Sequence, residues 1–141
     1  MNELAPSGPP AAEGIVTRSS PFTVAETLQR LRAAIQSHNL KIFAEIDHAE
    51  AARQVGLAMH PAHVLIFGSP RAGTPLMNAA PLLALDLPLR LLVWQSADEQ
   101  VWVSSTSAAY LQARYGLPAV LIGNIAGADA WIAQALAGSQ A

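Results

Sequence analysis

The chain has 141 residues, enough for one domain whose single core buries most of its apolar surface without staples. Charged residues make up 13% of it, against about 25% in an average globular protein, and apolar types reach 52%, so burial of some surface against a second copy is expected. A formal net charge of −2 with scattered arginines excludes a cationic track for nucleic acid, and the absence of cysteine excludes disulfides, thiolate catalysis and Cys-ligated metals.

The opening MNELAPSGPPAAEG has neither a basic segment nor an apolar run of the kind that directs secretion, so a cytoplasmic location is expected. Residues 1–12, rich in Pro, Ala and Gly, are expected to form a flexible leader to one domain over 13–141. The apolar stretch 82–94 carries Asp86 and Arg90 and falls well short of the ~20 residues that cross a bilayer, so no membrane span is expected.

Residues 14–19 read as a short strand. Thr23 and Glu26 then form a capping box, and Val24, Leu28, Leu31 and Ile35 fall on one helical face, with Arg30 and Arg32 on the other. Residues 40–46 are a second strand running into Asp47, which caps a short helix that Gly56 stops. The unbroken apolar run 63–67 predicts an interior strand covered on both faces or by a partner. In 68–75, two glycines and two prolines predict an irregular loop until Thr74 caps a third helix with Pro75 in its first turn; Pro81 should split that helix, which ends by Asp86. Strands 87–94 and 100–104 should form a hairpin with Trp94 and Trp102 adjacent. A helix over 107–115, an apolar stretch at 119–122 and a closing helix from 128, capped by Asn124 or Asp129, complete an α+β pattern.

Four groups of residues are candidates for chemistry. Asp47 and His48, beside Glu45, place carboxylates and an imidazole at a strand-to-helix junction suited to acid–base work, although a helix cap explains Asp47 equally. His48, His60 and His63 have ligand-like spacing, but Pro61 prevents a helical i, i+3 presentation, and no metal is expected. Gly68, Ser69, Arg71, Gly73 and Thr74 are candidates to hold a ligand or anion at the start of the third helix, without the lysine of a phosphate-binding loop. Leu76, Met77, Leu82, Leu83, Leu85, Trp94 and Trp102 are either ordinary core or the wall of an apolar pocket.

The order of these motifs is similar to that of a known family. Glu45-Ile46-Asp47-His48-Ala49, then Phe67-Gly68-Ser69-Pro70 with Gly73-Thr74-Pro75-Leu76-Met77, then Leu85-Asp86-Leu87-Pro88-Leu89-Arg90 and Val93-Trp94, together resemble the bacterial and archaeal domain of unknown function 302 family over residues 14–115. The resemblance implies a TBP-like α+β fold, a curved, mainly antiparallel sheet with helices packed on it, and often a homodimer. It implies no settled activity. Its motif carries over to Asp47, His48, Gly68, Pro70, Gly73, Thr74, Pro75, Asp86, Pro88 and Trp94. Ser69 stands where Asn is common, and Ser104-Ser105-Thr106-Ser107 replaces a more Tyr-rich segment.

The expectation that follows is a non-catalytic homodimeric domain, without a cofactor, that binds a small or apolar molecule through Gly68, Ser69, Arg71, Gly73, Thr74, Met77 and Trp94. The alternatives are an enzyme using His48 and Asp47 on an anionic substrate held by Arg71, and a protein-interaction module.

Overall fold

The computed structural model describes residues 11–137, so most of the expected leader lies outside the described residues. Five strands, β1 (Ile15–Ser20), β2 (Lys41–Asp47), β3 (Ala62–Gly68), β4 (Leu89–Gln95) and β5 (Val101–Thr106), form one fully antiparallel sheet in the order β1-β5-β4-β3-β2. The fold is α+β, as expected, with helices packed on the sheet.

Local signals explain most of the elements. Thr23 Oγ1 accepts from the Glu26 N–H at 3.1 Å and starts α1 (Val24–Ser37), whose Leu28, Leu31 and Ile35 are buried. Asp47 Oδ1 likewise accepts from the Glu50 N–H at 2.9 Å and starts α2 (His48–Gln54), which ends before Gly56 at φ +82°. β4 and β5 pair as the expected hairpin, with Trp94 opposite Trp102 and their rings stacked 6.2 Å apart.

Alternation along each strand sends one set of side chains to the main core. Leu65 and Phe67 of β3, Leu91 and Val93 of β4, and Val101 and Val103 of β5 pack there under Leu28, Leu31 and Ile35 of α1 and under Trp131, Ile132 and Leu136 of α6 (Ala128–Leu136). Phe67 meets the edge of Trp131 at 5.5 Å. A second core joins Leu76, Leu83, Leu111, Leu117 and Ile125, from α3 (Pro70–Ala79), the 3₁₀ turn Pro81–Leu85, α4 (Ala108–Tyr115), the loop after it and α5 (Gly123–Ala126).

Three expectations need correction. β3 is interior, beside the middle strand β4, but within the chain its face opposite Leu65 and Phe67 is incompletely covered, since Val64 and Ile66 there are half-buried. Helix α3 begins at Pro70, not at Pro75, with Ser69 Oγ accepting from the Ala72 N–H at 3.3 Å. A proline at the first helical position gives up no hydrogen bond, whereas Pro75, inside the helix, forgoes one to the Arg71 carbonyl that the surrounding packing offsets. Neither Asn124 nor Asp129 caps α6, since Gly127 holds the N-cap position without a side-chain bond.

Residues Ala119–Leu136 form an apolar stretch, of mean hydropathy 1.3, that by length and composition alone is sufficient to cross a membrane. It lies outside the segment singled out from sequence. Here it runs as a 3₁₀ turn (Ala119–Leu121), α5 and α6, and buries Ile125, Trp131, Ile132 and Leu136 in the two cores.

Candidate functional site

A cavity of about 560 Å³ opens between α3, the β2–β3 end of the sheet and the α5–α6 segment. This size lies within the range that encloses a small organic ligand. Its wall is mainly apolar: Leu40 comes from the chain entering β2, Phe43 from β2, Phe67 from β3, Met77 from α3, Leu87 from the approach to β4, Leu89 from its first residue, and Trp131 from α6. Gly123 and Gly127 face it, and a Cβ at either position would meet nothing within 4 Å, so small residues leave the space open rather than fill it.

Phe43 reaches this wall through an irregularity in β2. The pairing shifts between Ile42, opposite Phe67, and Ala44, opposite Ile66, leaving Phe43 as the extra residue. A bulge of this kind re-aims one side chain at the cost of a local bend in the strand, and pairing resumes beyond it.

The polar groups on the wall are few: His38, Ser69, Thr74, Asn124 and Gln134. Asn124 Nδ2 donates to the Ala72 carbonyl at 2.9 Å and ties α5 to α3 across the rim. His38 Nδ1 lies 2.9 Å from the Ala34 carbonyl. A carbonyl only accepts, so Nδ1 carries the hydrogen and, in the neutral ring, Nε2 keeps its lone pair.

Of the residues singled out from sequence, Gly68, Ser69, Gly73, Thr74 and Met77 line this cavity together. Arg71 is exposed on α3 and does not line it, because neighbouring helical positions point different ways. Trp94 is also elsewhere, on the sheet face away from α1 and α6, where its Nε1 donates to Ser104 Oγ at 3.0 Å. Leu76 and Leu83 are second-core residues, while Leu82 and Leu85 are exposed.

Asp47 and His48 do not join the cavity. Antiparallel pairing sets Lys41 opposite Gly68 and Asp47 opposite His63, so the acid–imidazole corner lies at the far end of β2, roughly 20 Å along the strand. The Asp47 carboxylate faces His63, with Oδ2 3.9 Å from Nδ1, while His48 is exposed in the first turn of α2. Among the described residues, no group of three His, Cys, Asp or Glu side chains is placed to hold a metal ion.

A second, smaller cavity of about 120 Å³ has Asp86, Arg90, Ser105 and Asp129 among its walls, and Ser105 Oγ is buried without a hydrogen-bond partner. Asp86 is engaged by Arg114 and by the Tyr115 hydroxyl, a bond that holds the phenol above its ordinary pKa.

His38, Leu40, Phe43, Leu87, Asn124, Trp131 and Gln134 escaped the sequence reading. The one local signal was the run of small residues from 123 to 130, which allows close approach or leaves room.

Comparison with known proteins gives both a family and a fold. Residues 16–137 match the model of the family described as Domain of unknown function DUF302. Among curated relatives, Fluoride-specific ion channel FluC 1 of Brucella suis biovar 1 (strain 1330) is 38% identical over 104 residues, covering 74% of this chain and 41% of that protein. Fluoride-specific ion channel FluC 2 of Brucella melitensis biotype 1 is also 38% identical over 104 residues, which cover 38% of its length. The chain thus spans about two-fifths of the curated relatives it matches. The crystal structure of the uncharacterized conserved protein DUF302 from Bacillus stearothermophilus aligns with a TM-score of 0.74 and 19% identity over 89% of this chain and 97% of that one, a likeness of fold.

Proposed function

The chain belongs to the family described as domain of unknown function DUF302, and on that footing we propose that it is a non-catalytic domain that binds an apolar small molecule and acts as a homodimer. The observation that carries the reading is the apolar cavity of about 560 Å³, lined by Phe43, Phe67, Met77, Leu87 and Trp131, with a few polar groups to orient a ligand. Gly68, Ser69, Gly73 and Thr74 contribute to its wall. Arg71 and Trp94, expected in the same site, are not part of it.

Dimerisation is supported by unshared apolar surface. Val55, Leu57 and Met59 are 73%, 65% and 48% exposed beside a sheet face carrying half-buried Val64, Ile66, Leu92 and Trp94. The enzyme alternative loses its geometric support within one chain, because Asp47, His48 and Arg71 do not converge.

The test uses the neutral dye Nile red, whose emission rises in an apolar enclosure. Purified protein should bind it at one saturable site per chain, and Met77→Trp, which fills the space, should abolish that binding while the protein stays folded. A wild-type protein that fails to bind the dye, and whose thermal midpoint no apolar compound shifts, would rule the reading out. Light scattering should give twice the chain mass, and Leu57→Asp should halve it.

The names of the matched relatives support a second reading, service to fluoride transport in a longer protein of which such a domain is one part. It predicts that sodium fluoride, but not sodium chloride at equal concentration, raises the thermal midpoint of this domain.

A further inference from the structure

Building on the apolar-ligand reading, we infer that the molecule taken up is a single-chain amphiphile with an anionic head, held tail-inward with its head at the mouth beside Lys41. The argument is one of charge complementarity across an otherwise apolar enclosure. Among the described residues, no carboxylate lines the main cavity. The acids nearest to it in sequence are committed elsewhere: Asp86 and Asp129 line the second cavity, and Glu45 is bonded to Arg32. A negative head at the mouth therefore meets no like charge on the wall.

One cation, Lys41, stands beside this wall. Lys41 Nζ lies 4.8 Å from the ring centroid of Phe43, a wall residue, and Lys41 pairs across the sheet with Gly68, another. An ammonium over an aromatic face keeps its charge and most of its hydration, so it remains free to meet an anion. Deeper in, Phe67, Met77, Leu87, Leu89 and Trp131 supply apolar surface, and a buried charge there would be costly. Head and tail are thus assigned to opposite ends of one cavity.

The experiment displaces Nile red with three ten-carbon probes that share a tail: decanoate, decyl phosphate and decanol. Both anions should compete about fivefold or more better than the alcohol at low salt, the scale of an exposed ionic contact, and the advantage should shrink in 0.5 M sodium chloride. Lys41→Gln should remove most of that advantage without changing the affinity for decanol, and Lys41→Arg should restore it. Equal affinities for all three probes, or an anion preference untouched by Lys41→Gln, would overturn the head-group assignment and leave the apolar site standing. Failure of every probe, decanol included, would overturn both. Decanoate and decyl phosphate separate a carboxylate-bearing ligand from a phosphate-bearing one.

Discussion

The imidazole of His38 stacks on the indole of Trp131, with ring centroids 5.5 Å apart and planes 26° from parallel. The same imidazole holds the last turn of α1 through Nδ1 and the Ala34 carbonyl, so one side chain closes a helix end and supports a wall of the cavity. His38→Ala removes both contacts. It should lower the unfolding free energy by about 1 kcal/mol, read as a shift of the urea midpoint at constant slope. An unchanged midpoint would mean that the stack adds nothing.

The start of α3 makes a sharper comparison. Ser69 accepts from the Ala72 N–H, whereas Thr74 is an exposed residue in the helix interior. Ser69→Ala should therefore cost about 1 kcal/mol, the usual cost of a lost N-cap. Thr74→Ala should be neutral or slightly stabilising, because alanine is the better residue inside a helix. Thermal midpoints of the two variants, measured together, decide between this start and one at Thr74.

That start was legible in the wrong place, for a physical reason. Ser-Pro and Thr-Pro are equally good openings on local grounds, and only the packing of Leu76 into the second core fixes the helix so that the earlier one serves. Thr23 and Asp47 had no such rival, and their caps could be read directly. The cavity was legible on one side only. Gly68, Ser69, Gly73, Thr74 and Met77 are close in sequence, but the opposite wall comes from residues 123–134, and Phe43 arrives through a register shift that no periodicity announces. The alternative that sets His48 and Asp47 on a substrate held by Arg71 loses its footing because antiparallel pairing carries the two ends of β2 apart.

Acid sensitivity should trace in part to Glu45. Arg32 donates to both of its carboxylate oxygens, Nε at 2.8 Å and Nη2 at 2.7 Å, and this hydrogen bonding, reinforced by the charges of Arg32 and His63, holds the carboxyl below its ordinary pKa despite partial burial. A folded-state pKa below the unfolded one means that the contribution is present above the unfolded value, near ~4.3, and is lost as pH falls through the folded value. The pair is about 40% exposed on each side, so solvent screening limits it to a few tenths up to about 1 kcal/mol. Glu45→Gln should show that deficit at pH 7 and converge with the parent protein as pH falls through the folded-state value, in urea titrations at matched salt. Parallel pH curves for the two proteins would show that the ion pair contributes nothing.

Gly73 separates the needs of the fold from those of the cavity. It is buried inside α3, where glycine is about 1 kcal/mol worse than alanine. Packing does not require it: a Cβ there would touch Leu87 Cδ1 at 3.6 Å and Met77 Cε at 3.8 Å, both ordinary contacts. Gly73→Ala should therefore stabilise the protein by about 0.5–1 kcal/mol and leave Nile red binding nearly intact, since one methyl group occupies little of the cavity. Gly73→Leu projects a larger side chain into the same space and should abolish dye binding. Calorimetry and dye titration on the two variants give four readings. If alanine destabilises the fold, Gly73 is there for close packing; if leucine leaves binding unchanged, the ligand does not sit against α3. Stabilisation by alanine with loss of binding in leucine is the outcome expected of a glycine retained to keep a binding space open at the expense of helix stability.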